Sequence, residues 1–435
     1  MALRPRPSFS TSLQGQAAAI RAGTTTCLEL LEQSLARIDR LEPEVRAWVL
    51  VDREGARAQA VQRDAERVAG MIRGPLHGVP IGVKDIFDVA GLPTGAGARR
   101  WSDRPALRDA DVVAALRSAG AVIVGKTVTT AYAWLDPAVT RNPWEPSRTP
   151  GGSSSGSAAA VATGMCAGAL GTQTGGSLIR PASYCGISSL KPGYGRLSGQ
   201  GIVPLAPSLD HPGIMAPRVA DLTTLWQALT GALEPVRPAA RPPRLGRLDG
   251  YFNQRAAPVA LEALELFLEK VQQAGGTVVP VELPLHFDTI PTQFRVILAA
   301  EAAAVHAARY HTERDDYPPL MGRLIDEGNA IPATSYIYAR HHQERWVKEI
   351  PASLEGLDAL VMPSTPDVAT DRATTGDPSF NSPWSYLGLP ALTIPVAANE
   401  DGLPLGVQLL APRYGEAALL SAALWCDERL AECGR

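Results

Sequence analysis

Residues 148–192 read RTPGGSSSGSAAAVATGMCAGALGTQTGGSLIRPASYCGISSLKP. Two glycine-flanked serine clusters stand in it, Gly151-Gly152-Ser153-Ser154-Ser155-Gly156-Ser157 and Gly175-Gly176-Ser177, on either side of a run of small apolar residues too close-packed for a tether. Glycine lets the backbone turn sharply and approach other groups closely, and serine brings a hydroxyl that attacks, relays a proton or donates a hydrogen bond. The stretch therefore reads as two tight turns joined by a small-residue helix, an oxygen-rich pocket floor.

Outward from it, the 435 residues are 45% hydrophobic and 20% charged, the composition of a folded globular chain able to bury roughly three quarters of its unfolded surface. Lys and Arg number 41 against 44 acidic residues, a net charge of -3, which leaves no electrostatic footprint for nucleic acid or an anionic membrane. A small, near-neutral ligand is expected. The N-terminal MALRPRPSFSTSLQ lacks the apolar centre of a signal peptide, and no apolar run has membrane-spanning length, so a cytoplasmic protein is expected. Five cysteines, Cys27, Cys166, Cys185, Cys426 and Cys433, without CxxC spacing argue against a disulfide framework and a zinc cluster.

The elements alternate. Thr26-Cys27-Leu28-Glu29 fits a capping box before a helix over about 27–41, and an alanine-rich helix follows over about 53–70. This pair is free to pack on the body or on a second copy in a homodimer. Residues 78–88 are strand-like, 109–119 helical and 121–124 a buried strand, and 244–284 give strand, helix and strand. Residues 285–350 are helical in pattern and carry five of the seven histidines; within a variable segment of about 235–355 they are expected to cap the site. The C-terminal part returns to strands at 358–363, 391–396 and 406–410 before a last helix. The reading is α/β: a single α/β/α sandwich domain over 1–435 with a mixed, twisted central sheet.

Three local patterns mislead. Gly120 to Thr127 matches the phosphate-loop expression GxxxxGK[ST], but its variable positions are β-branched or apolar and should form a strand. Gly152 to Gly156 satisfies GxSxG, yet the proline-rich run before it cannot supply the strand that a nucleophile elbow needs. His306/His311 and His341/His342 lack the i, i+4 spacing of a helical metal pair, so no metal and no cofactor is expected. Lys84 is different, because it lies among Val79, Ile81, Val83, Ile86 and Phe87. Either its ammonium snorkels to water beside Asp85, or burial lowers its pKa and leaves a neutral amine able to act as a base.

GVPIGVKDIFDVAGLPT, PGGSSSGSAAAVA, GALGTQTGGSLIRPASYCGISSLKP, LGLPALTIPV and DGLPLGVQLLAP together resemble the amidase signature family, whose members hydrolyse amides with a Ser-Ser-Lys triad. The GTQTGGS form and the serine in GGSSSGS are most similar to the malonamidase branch. The resemblance implies Ser177 as nucleophile, Lys84 as base and Ser153, after a cis peptide at Gly152, as the serine between them. It also implies an oxyanion hole from the amides of Thr174, Gly175, Gly176 and Ser177, which the two glycines would let converge on one oxygen. A structural Gly/Ser floor is the plainer alternative.

Three positions depart from the family pattern: Gln173 for the usual Asp, Ser155 for a Gly, and Arg180 three residues after Ser177 instead of two. The stretch Val128 to Trp134 adds two rings. Tyr132, Trp134, Gly152 and Arg180 are therefore the candidate substrate-binding residues. Tyr132 and Trp134 would favour neutral aryl amides or carbamates, and Arg180 a carboxylate. The expected activity is cleavage of small amides, with aryl esters and carbamates (urethanes) open to the same chemistry. The rivals are an amidotransferase-type glutaminase subunit that works with a partner, and a catalytically silent binding protein.

Overall fold

In a computed structural model that describes residues 4–5, 12–98 and 104–432, the strands are β1 (Arg4–Pro5), β2 (Trp48–Val51), β3 (Pro80–Lys84), β4 (Val122–Thr127), β5 (Gly168–Gln173) and β6 (Ser188–Lys191). They continue with β7 (His211–Ala216), β8 (Arg244–Leu248), β9 (Thr277–Val281), β10 (Ala359–Pro363), β11 (Ala391–Ala398) and β12 (Pro404–Leu410). All belong to one twelve-stranded sheet, ordered β2-β4-β3-β5-β7-β6-β11-β12-β10-β8-β9, with β1 paired to β11. Two parallel trios, β4-β3-β5 and β10-β8-β9, are joined by antiparallel strands, so the sheet is mixed.

Strand periodicity sorts the side chains into two layers. Val122 and Val124 of β4 pack with Leu31, Leu35 and Ile38 of the helix Cys27–Val45 and with Ala158 to Ala162. Ile123, between them, points to the other face with Ile81 and Val83 of β3. Helices thus cover both faces, the arrangement expected of an α/β sandwich.

The expected N-terminal helices run Cys27–Val45, with both bonds of the Thr26/Glu29 capping box formed, and Arg53–Val68. The helix expected from Asp109 begins at Asp111. Asp109 itself accepts from the amide of Ala90 and pairs with Arg117, so its carboxylate ties a neighbouring loop instead of capping the helix. The phosphate-loop lookalike is the fully buried strand β4, whose Lys126 pairs with Asp85 at 2.8 Å and donates to the carbonyl of Pro93. Between the serine clusters the chain is more than a helix: Ser155–Ala162 is helical and, after a turn over 163–167, β5 follows. The helices of the 285–350 segment are Ile290–Thr312, Pro319–Asn329 and Ala333–Glu349.

Why the central helix contains only Ser, Gly, Ala and Val follows from its surroundings, since every residue of Ser155–Ala162 is buried. A Cβ on Gly156 would lie 2.3 Å from the carbonyl oxygen of Ala47 and 2.4 Å from the amide nitrogen of Val128. Only glycine fits that approach. Ser157 donates to the carbonyl of Leu170 at 2.9 Å and shares a 2.7 Å hydrogen bond with Thr127, which pins the helix to β4 and β5. The first serine cluster is held against the sheet through these bonds.

Candidate active site

β3 ends at Lys84, whose side chain is fully buried. Its Nζ donates to Ser153 Oγ at 2.8 Å and to Thr172 Oγ1 at 2.8 Å. Burial holds its pKa well below the ordinary lysine value, and the charge of Asp210 opposes the shift only in part. Of the two readings of this lysine, snorkelling to water is excluded by its burial. The Gly152–Ser153 peptide is cis. Ser153 is buried, and its carbonyl accepts from the amide of Thr130 at 3.2 Å.

Ser177 lies in the turn that leaves β5, 7% exposed, ahead of the helix Ile179–Cys185. Gln173 holds that turn from one end. Its Oε1 accepts from the amides of Leu178 (3.0 Å) and Ile179 (3.1 Å), and its Nε2 donates to Ser385 Oγ at 3.1 Å. Ser385 donates in turn to the carbonyl of Gly175. An amide side chain, unlike the carboxylate usual at this position, supplies both an acceptor for the helix start and a donor to Ser385. Thr174 Oγ1 donates to Asp210, whose other oxygen accepts from the amides of Leu205 and Ala206. Burial pushes the Asp210 carboxyl up to about 6, against the pull of those bonds. Gly175, the more open member of the turn, faces the 290–312 helix: a Cβ there would be 3.7 Å from Phe294.

Arg180 is 1% exposed. Its Nη2 donates to the carbonyl of Gly152 at 2.8 Å and to Thr375 Oγ1 at 3.2 Å, so it bridges the two serine clusters. Its Nε and Nη1 have no hydrogen-bond partner, and desolvation pulls its pKa down to about 10. A Cβ on Gly176 would come within 3.1 Å of Nη1 and 2.8 Å of Asn381 Oδ1.

Tyr132 turns toward the 290–349 helices. Its ring stacks on Tyr317 at 4.5 Å, meets His306 edge-on, and its hydroxyl donates to Asp316 at 3.0 Å. Trp134 is half-buried under the guanidinium of Arg295. The structure thus gathers Lys84, Ser153, Gly152, Arg180 and the 174–177 turn within a few hydrogen bonds of one another and gives the rings other partners. Neighbouring Ala133 lines a cavity of about 250 Å³ together with Thr172, Thr174 and Asp210.

Thr172, Asp210 and Ser385 are the site residues that sequence reasoning missed. A signal existed for the first, because Thr172 and Thr174 are two apart at the end of a strand and share a face. For Asp210 there was none, since its approach depends on the antiparallel pairing of Gln173 with His211. Among the described residues no group of three or more His, Cys, Asp or Glu side chains could hold a metal ion. His306 bonds to Tyr317, and His342 to Tyr386 and Thr289.

Residues 29–420 match the Amidase family model. The putative amidase AmiD of Mycobacterium tuberculosis is 35% identical over 93% of this chain and 90% of its own length. A glutamyl-tRNA(Gln) amidotransferase subunit from Roseiflexus castenholzii is 36% identical over 92% and 91%. Among solved structures, the peptide amidase PAM in complex with the competitive inhibitor chymostatin superposes with a TM-score of 0.85 at 31% identity, covering 97% of this chain and 98% of that one. A crystal structure of an amidase reaches 0.90 at 31%, over 96% and 100%. The chain belongs to the amidase signature family and has the fold of an amide-hydrolysing enzyme.

Proposed function

We propose that this amidase works through a Ser177–Ser153–Lys84 triad on small amides. The observation that carries the reading is a fully buried lysine whose Nζ is 2.8 Å from Ser153 Oγ. A neutral amine there takes the proton of Ser153 as Ser153 takes that of Ser177, and Ser177 Oγ attacks the substrate carbonyl. The developing oxyanion is held by amides of the turn from Thr174 to Ser177. Collapse expels the amine, which leaves with the proton returned through the same relay. Water then repeats the cycle on the acyl-enzyme. Aryl esters and carbamates pass through the same tetrahedral oxyanion and are cleaved by the same groups.

The test is turnover of an aryl amide panel together with fluorophosphonate labelling. Wild type should be labelled at Ser177, and Ser177→Ala should lose at least about 10⁴-fold in kcat. A Ser177→Ala protein near the wild-type rate would sink the triad, and an unlabelled wild type would favour a silent binding protein. A second reading, that the chain serves as the glutaminase component of an amidotransferase, is favoured by the similarity to the Roseiflexus amidotransferase subunit. Full turnover by the purified protein on its own argues against it; turnover only with an added partner argues for it.

A further inference from the structure

The cavity of about 250 Å³ has Thr174 in its wall, and Thr174 opens the turn to which the oxyanion is assigned. A carbonyl held on that turn therefore leaves one substituent beside the cavity. Its walls are chiefly apolar, with Ile86, Leu197, Ile202 and Val203, and it is roomier than the roughly 150 Å³ apolar cavity known to admit benzene. Asp210 supplies its fixed charge, held in place by Thr174 and by the amides of Leu205 and Ala206. Among the described residues the lining includes no Lys, Arg or His, so an entering anion would meet a carboxylate and no counter-charge.

We propose that this cavity is the specificity pocket of the site, that it takes an uncharged aryl or branched-alkyl group of the substrate, and that it turns away groups bearing a carboxylate. The proposal rests on the assignment of the 174–177 turn as the oxyanion hole. Ile202 and Val203 are its specificity-determining residues. They belong to a segment anchored two residues from Lys84 by the bond from the Val203 amide to the carbonyl of Ile86, and both line the cavity.

Calorimetric binding to the Ser177→Ala protein tests this without turnover. A failed nucleophile assignment would show only in the comparison of wild-type and Ser177→Ala rates. Benzamide should bind about tenfold or more tighter than acetamide, from burial of the ring, and tighter than malonamate by at least as much. Adding Ile202→Trp should erase the benzamide preference. Adding Ile202→Ala instead should shift preference toward naphthamide, which keeps the test alive if the tryptophan variant fails to fold. Malonamate as the tightest ligand, benzamide no tighter than acetamide, or selectivity unmoved by either Ile202 variant would overturn the proposal.

Discussion

The segment from Gly151 to Lys191 and the helices from Ile290 to Glu349 border the same site and are built in opposite ways. In the first, side chains are small and buried, and hydroxyls are spent on backbone: Ser154 on the carbonyl of Thr172, Ser157 on that of Leu170, Ser189 on that of Ile214. In the second, large rings pack edge to face, and ion pairs such as Arg295–Glu327 and Arg314–Asp326 sit in solvent, where each contributes little. Hydrogen bonds of fixed length hold reacting atoms in place, whereas ring packing tolerates substitution and shapes space. The first region should therefore fix the reaction, and the second should answer mutation mainly in stability.

The largest test of that division is the relay. Lys84→Ala and Ser153→Ala should each lower kcat by about 10²- to 10⁴-fold, because each removes one end of the 2.8 Å bond. In wild type, the lowered pKa of Lys84 keeps the amine neutral above it, so kcat/KM should hold on the alkaline side and fall as pH drops through that value. Asp210 opposes the shift, so Asp210→Asn should move the acid limb to lower pH. A profile that rises toward acid would contradict the neutral-lysine mechanism.

Arg180 comes next. Its bonds to the Gly152 carbonyl and Thr375 make it a strut between the serine clusters. Arg180→Met should then cost every substrate alike, up to about 10²-fold in kcat, by loosening the position of Ser153. Its unpartnered Nε and Nη1 frame the opposite outcome. If malonamate turnover alone collapses while an aryl amide is unaffected, the arginine binds a substrate carboxylate.

A pair of glycines compares the regions directly. A Cβ on Gly156 would lie 2.3 Å from the Ala47 carbonyl, and one on Gly328 would lie 1.9 Å from that of Ala299, where two of the 290–349 helices cross. Either alanine variant should lose about 1–3 kcal/mol, read as a lower Tm. Only Gly156→Ala should also lose activity out of proportion, since its helix starts two residues after Ser153 and fixes where that serine sits; equal activity losses would erase the distinction.

Legibility in the sequence followed the same division. Lys84 and the serine–glycine turns could be found because their chemistry needs particular residues at particular positions, and the alternation of helix and strand gave the α/β layering. β5 and β6 stayed hidden: their residues are small or polar, Gly168–Gln173 and Ser188–Lys191, and sheet pairing rather than propensity makes them strands. β2, Trp48–Val51, has strand-forming residues but only four of them, too short a run to show a period. The partners of the rings were out of reach too, because Tyr132 meets Asp316 only once the 290–349 helices have packed.

Tyr132 therefore gives the smallest and most discriminating test. Its hydroxyl bonds to Asp316, but that carboxylate also accepts from Arg309 at 2.9 Å, so Tyr132→Phe leaves the acid with a charged partner. The ring still stacks on Tyr317. Loss of one such bond costs about 1 kcal/mol, and Tm should fall by a degree or two. If this packing is the whole role of the ring, kcat/KM for a neutral aryl amide should stay within about twofold of wild type, below the scale at which a lost contact is felt. A tenfold rise in KM at unchanged Tm would mean that the hydroxyl reaches substrate. Residues 128–134 would then belong functionally with the serine clusters and not with the helices they pack against.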